Sequence, residues 1–83
     1  MTWKPPPDWQ ETLIDAMAET LFERGLEGSD VTRRGGPGHR YMWNWGRINR
    51  RTGKYSLPTL RSLVGWCGAV GIRPSELLAR CGL

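Results

Sequence analysis

Apolar positions recur at helical spacing through most of this chain, and no segment gives a strand signal. After Asp8, the residues Leu13, Ile14, Met17, Ala18, Leu21 and Phe22 return every three or four positions and cover about half of a helical wheel. Asp8 followed three residues later by Glu11 is the capping-box arrangement, here with Asp in the cap. Gly25 stands just past Arg24, where a C-terminal cap belongs. The pattern predicts a first helix over 8–24. Pro5-Pro6-Pro7 ahead of it reads as a stiff, extended lead-in of the polyproline type, which divides the chain into a lead-in over 1–7 and a domain over 8–83.

A short second helix is expected from Ser29 as N-cap, carrying Val31, Thr32, Arg33 and Arg34. The run Gly35-Gly36-Pro37-Gly38 must end it. From His39 to Arg51 a third helix is expected, because Tyr41, Trp45 and Ile48 fall on one narrow arc that would face a core. Arg40, Trp43, Asn44, Arg47, Arg50 and Arg51 fill the other side of that wheel. Gly46 interrupts it at a cost of about 1 kcal/mol against alanine; it either admits a closely packed neighbour or marks a break. After a loop over 52–56, Ser56 or Leu57 caps a fourth helix with Pro58 in its first turn. Its apolar face is Leu60, Leu63, Val64, Cys67 and Val70, and it ends at Gly71. A last short helix begins near Arg73-Pro74-Ser75 and contributes Leu77 and Leu78, with Cys81 beyond them. Five helices and no strand make the expected fold class all-α.

Charge changes the picture more than composition does. Among 83 residues, 12 Lys+Arg against 8 Asp+Glu give a formal charge of only +4. Yet seven of the eight acids lie within residues 1–30, and residues 31–75 hold nine bases and no carboxylate. An ordinary solvated surface mixes its signs, so this distribution points to a face that meets a polyanion. Other classes are excluded. No apolar run approaches the ~18–20 residues that span a bilayer, which speaks against membrane insertion, and Met1 to Trp9 has no apolar stretch of the secretory kind. Two cysteines (Cys67, Cys81) are too few for a disulfide framework, and with His39 they match no zinc spacing. Both thiols lie on apolar faces and are expected to be reduced and buried. No nucleophile–base pair is evident, so no enzyme, metal or cofactor is expected.

At PTLRSLVGWCGAVGIRPSELL (58–78) the chain resembles the Cro and phage-repressor (lambda repressor-like) helix-turn-helix domains. Pro58, Leu60, Leu63, Val64, Val70, Gly71, Ile72, Pro74, Glu76, Leu77 and Leu78 fall in register, with Cys67 where the family usually has alanine. The strict match covers about a quarter of the chain; the order of five helices extends it loosely to about 70 residues. Helix 2 departs from the pattern, with Ser29-Asp30-Val31-Thr32 in place of a Ser/Thr-Gln opening. The stretch 29–58 is also a few residues longer. The resemblance implies a compact five-helix bundle whose second and third helices read double-stranded DNA, commonly as a homodimer on a palindromic operator. It also implies a transcriptional regulator of the bacterial cytoplasm or nucleoid, repressor or Cro-like in kind and of phage or prophage type.

On that reading the third helix enters the major groove. Arginine can bond the O6/N7 edge of guanine with two donors and asparagine the N6/N7 edge of adenine, so Arg40, Asn44 and Arg47 are the expected base readers. Arg33, Arg34, His39, Arg50, Arg51 and Lys54 are the expected phosphate contacts. The bland alternative, a solvated arginine face, would normally interleave Glu at i, i+4, and none is present. Trp43 is expected to pack against the helix 2 turn in preference to stacking on a sugar. Trp66 is either core edge or dimer contact, and Trp3 and Trp9 either clasp the core or form a partner patch. The acidic stripe Glu11, Asp15, Glu19, Glu23 reads as the solvent face of the first helix. The rival function is a protein-interaction module, an antitoxin or a phage factor docking on a host protein through that helix and the tryptophans. Binding of RNA, or an architectural role on DNA, is a third.

Overall fold

The computed structural model describes residues 2–83. Among them stand five helices: α1 (Trp9–Glu23), α2 (Gly28–Arg33), α3 (His39–Trp43), α4 (Leu60–Val70) and α5 (Pro74–Arg80). The all-α class and the helix order match the sequence pattern. α1 packs on α5, α5 on α4, and α4 on α2, while α2 carries α3. The core lies where those contacts meet: Leu13 and Met17 from α1, Val31 from α2, Leu63, Trp66, Cys67 and Val70 from α4, and Leu77 from α5.

α1 buries Leu13, Ala16, Met17 and Thr20, one face at i, i+3, i+4, i+7. Phe22 lies outside that face and is 87% exposed, against expectation. The burial of a threonine is made tolerable by its bonds. Its hydroxyl donates to the Ala16 carbonyl at 2.7 Å and accepts from Arg80 Nη1 at 3.1 Å, and the same Arg80 nitrogen reaches Glu23 at 3.1 Å. The expected capping box does not form, since the Asp8 side chain caps nothing. Instead Trp9 N–H bonds the Pro6 carbonyl at 3.2 Å, and Thr12 turns both its N–H and its hydroxyl onto the Asp8 carbonyl.

α2 starts one residue ahead of Ser29, with Glu27 as its N-cap. Glu27 N–H donates to the Asp30 carboxylate at 2.8 Å, which, followed by the neighbouring Arg33, holds the Asp30 acid below the usual carboxylate range. α2 ends as the glycines require: Gly36 N–H closes back on the Val31 carbonyl at 2.9 Å.

α4 begins at Leu60, later than expected. Pro58 stays outside it, because Ser56 spends its backbone groups elsewhere and Thr59 provides the cap, its Oγ1 accepting from Ser62 N–H at 3.2 Å. Leu60 and Val64, expected in the core, are 76% and 50% exposed. The buried face of α4 is rotated toward Leu63, Trp66, Cys67 and Val70, which settles Trp66 as a core residue at 2% exposure. Gly71, in the left-handed region at φ +86°, ends the helix as expected. Two guanidiniums then close on the bare carbonyls of that end. Arg24 Nη1 donates to Val70 at 3.1 Å and to Gly71 at 2.9 Å, and Arg34 Nη1 to Ala69 at 3.4 Å. Positive charge at a helix C-terminus also complements its dipole.

The largest correction falls on the expected helix 39–51. It stops after five residues, at Trp43. Beyond it Trp45 and Arg47 bond three residues back, to Met42 and Asn44, and Gly46 adopts φ +82°, which no helix interior accommodates. The chain then reverses as a hairpin over 46–56. Gly46 N–H donates to the Ser56 carbonyl at 2.9 Å, Ser56 N–H to Arg47 at 2.8 Å, and Asn49 N–H to Lys54 at 2.8 Å, with Ile48 opposite Tyr55 in an antiparallel pairing. The core stripe foreseen for this segment therefore does not exist. Ile48 is 66% and Tyr41 47% exposed, and only Trp45 is half-buried, with the Tyr41 ring edge-on at 5.9 Å.

Candidate nucleic-acid interface

The site foreseen along one helix is distributed over three pieces of backbone. His39 and Arg40 open α3, and both are exposed. The His39 ring lies over the start of α2, its Nδ1 3.4 Å from where a side chain on Gly28 would begin. Asn44 follows the last turn of α3 and is exposed. Arg47, on the first strand-like arm of the hairpin, turns back over α3. Its guanidinium sits 3.6 Å from the centre of the Trp43 ring, and its Nε donates to the Trp43 carbonyl at 3.0 Å. Trp43 is thus not packed into the helix 2 turn; it is 60% exposed and carries Arg47 as its partner. Asn44 and Arg47 line one depression together with Ile48, Asn49 and Ser56, so two of the three expected base readers do converge.

Arg50, Arg51 and Lys54 stand at the far end of the hairpin, all exposed. Local bonds fix the backbone beneath them. Asn49 Oδ1 accepts from Arg51 N–H at 2.9 Å, Thr52 Oγ1 from Lys54 N–H at 3.3 Å, and Gly53 at φ +67° donates to the Asn49 carbonyl at 2.7 Å. The tip is a built turn that holds three cations in a short space.

Arg33 and Arg34 are differently employed. Arg33 pairs with Asp30 one turn back on α2, and Arg34 reaches the C-terminal end of α4. Among the described residues the ion pairs are Arg33–Asp30 and Arg80–Glu23, so Arg40, Arg47, Arg50, Arg51 and Lys54 have no carboxylate partner. These five cations stand exposed on α3 and the hairpin.

The root of this surface rests on the acidic helix. A side chain at Gly46 would begin 3.0 Å from Ile14 Cγ2 and 3.5 Å from the Tyr55 hydroxyl, which places the hairpin base against the middle of α1. Burial raises the Tyr55 hydroxyl above its ordinary range, and the Glu11 and Asp15 carboxylates push the same way. The negative field of α1 therefore reaches the hairpin base.

Neither the Trp43–Arg47 stack nor the hairpin follows from helical spacing. A signal for the hairpin was present: Ile48 and Tyr55, residues that favour strands, flank the turn-forming run Asn49 to Lys54. Comparison with protein-family models, with curated proteins and with solved structures finds no match to this chain.

Proposed function

We propose that this protein binds double-stranded DNA through α3 and the hairpin 46–56, as a transcriptional regulator of the Cro or phage-repressor kind with α2 and α3 as its helix-turn-helix. One observation carries the reading: among the described residues, Arg40, Arg47, Arg50, Arg51 and Lys54 are all exposed on α3 and the hairpin and none pairs with a carboxylate. Phosphates supply the missing counter-charge, and displacing their condensed ions makes the binding strongly salt-dependent. The major groove admits either an α-helix or a two-stranded ribbon. With α3 only five residues long, the hairpin takes over much of the role foreseen for the helix. Arg40, Asn44 and Arg47 face base edges, while Arg50, Arg51 and Lys54 follow the phosphates. His39 adds a contact at the start of α3. Arg33 and Arg34, engaged with Asp30 and with α4, contribute mainly long-range field.

The test is duplex binding by fluorescence anisotropy across a salt series, with targets first selected from random duplex. The double variant Arg50→Ala, Arg51→Ala is expected to weaken all duplexes alike, by at least tenfold at low salt. It should also flatten the log–log salt slope by about two, one for each lost phosphate contact. Arg47→Ala should instead cost about 1–3 kcal/mol and relax preference at one base pair. A selection that enriches no sequence would rule out the regulator, and an unchanged salt slope would remove the tip from the interface. Tighter binding to single-stranded RNA than to duplex would transfer the surface to RNA.

A second reading has its own observation. Phe22 stands 87% exposed on α1 beside Glu19 and Glu23, around a shallow depression. An apolar ring framed by acids suits a partner protein with a basic rim. Under that reading Glu19→Lys abolishes activity in the cell, while in the DNA reading it leaves duplex affinity equal or higher.

A further inference from the structure

We infer that the cleft under α3 is a binding site for a small, uncharged aromatic molecule of one or two rings, an inference independent of the DNA reading. The cleft has a volume of about 230 Å³ and opens between α1, the start of α2 and α3. Met17 and Trp66, both buried, form its floor, and Ile14, Met42 and Trp43 form walls. No Asp, Glu, Lys or Arg lines it. An ion seated among these side chains would lose hydration and, apart from His39 at the rim, meet no ionisable group of the lining, which favours an uncharged ligand. Indole faces and thioethers instead offer flat, polarisable surfaces that suit an aromatic ring.

Size narrows the class further. A dry apolar cavity of about 150 Å³ accepts benzene, so the larger volume here accommodates a bicyclic ring system. The mouth is held open by the smallest side chains available. Gly28 leaves room that the His39 ring borders at 3.4 Å, and Ala18, exposed on α1, stands at the edge. His39 is the one titratable side chain of the lining, and its imidazole offers a single hydrogen bond at the rim. An apolar body with at most one polar group is therefore the complementary ligand. A domain this small has little apolar surface to spare, yet it leaves Phe22 in solvent and this cleft open.

Indole is the probe, titrated into the full chain while the tryptophan side-chain N–H signals are followed by NMR. Saturable 1:1 shifts are expected at Trp43 and Trp66, with Trp3 unmoved. Ala18→Leu fills the mouth from an exposed helical position and should weaken indole at least tenfold, whereas Ala79→Leu on α5 should not. Naphthalene-2-sulfonate should displace indole at least ten times more weakly than naphthalene does. Absence of saturable shifts up to the solubility of indole overturns the site. So does equal binding by Ala18→Leu with its helical circular dichroism intact. Equal displacement by the sulfonate overturns the uncharged class. Shifts of the same signals with protein concentration alone, blocking indole, would assign the cleft to a second copy of the chain and overturn the proposal.

Discussion

Gly36 is required for space, with a backbone that any residue could adopt. A Cβ there would lie 2.6 Å from Val31 Cγ1, 2.8 Å from the Val31 carbonyl and 3.0 Å from Ala69 Cβ. It sits between the end of α2 and the last turn of α4, so added bulk pries the two apart. Gly36→Ala is expected to destabilise the fold by about 1–3 kcal/mol, the usual cost of overpacking, read as a lowered urea midpoint with unchanged slope. The sequence marked this glycine as a helix breaker, which is correct, but its steric role depends on Ala69, 33 positions away. Thr20 was missed for a similar reason. Its burial depends on Arg80, which periodicity on α1 cannot reveal. Trp43 and Arg47, four apart, were rightly placed on one side of the segment, yet their contact is made by a chain that has already left the helix. Such a stack is worth about 0.5–1 kcal/mol when exposed, enough to bias the arginine's rotamer.

At the scale of elements, the end of α4 is where distant parts of the chain converge. Arg24, just past α1, and Arg34, just past α2, both donate to carbonyls that the helix leaves bare. Arg24→Ala should cost about 1 kcal/mol, in line with charge at a helix terminus. Amide hydrogen exchange should report it as faster exchange over the last turn of α4 and at Gly71, ahead of any change in α5. Uniform acceleration across all helices would show instead that Arg24 acts on global stability. Four of the five helices were readable from apolar spacing and glycine stops, because each buries one face against a neighbour. The third is shorter than its spacing predicts because the chain breaks at Gly46. Tyr41, Trp45 and Ile48 make a convincing helical stripe only if the backbone stays helical. Gly46 N–H finds a better partner in the Ser56 carbonyl, at 2.9 Å. The distribution of the basic residues over helix, junction and hairpin is hidden by that break. The start of α4 moved for the same cause, since Ser56 belongs to the hairpin.

For the whole molecule, the radius of gyration is 13.0 Å, against about 12 Å for a compact domain of this length, so the chain is slightly more extended than a minimal globule. Burial governs its response to pH on the alkaline side. Cys67 and Cys81 are buried free thiols, and loss of water around them raises both above the ordinary thiol range. Because the folded state disfavours thiolate, this contribution is complete below about pH 8.5, where unfolded thiols begin to ionise. It is lost as pH rises through the folded values. Denaturant midpoints measured under reducing conditions should therefore fall between pH 8 and about 10, with both thiols slow to react with a disulfide reagent at pH 8. An unchanged midpoint would show the thiols are not protected by the fold. Acid-rich and acid-free halves of the sequence become separate surfaces only in part, since Glu11 and Asp15 are felt at Tyr55 in the hairpin. The hairpin also has a colloidal consequence. The hairpin is an open edge with an exposed Ile48, the kind of template on which a second chain can add. Arg47, Arg50, Arg51 and Lys54 make every such edge repel its copy over a Debye length, about 10 Å at 0.1 M salt and about 3 Å at 1 M. Dispersal of this protein thus depends on its ionic surroundings, and concentrated salt removes the barrier that keeps one hairpin from pairing with the next.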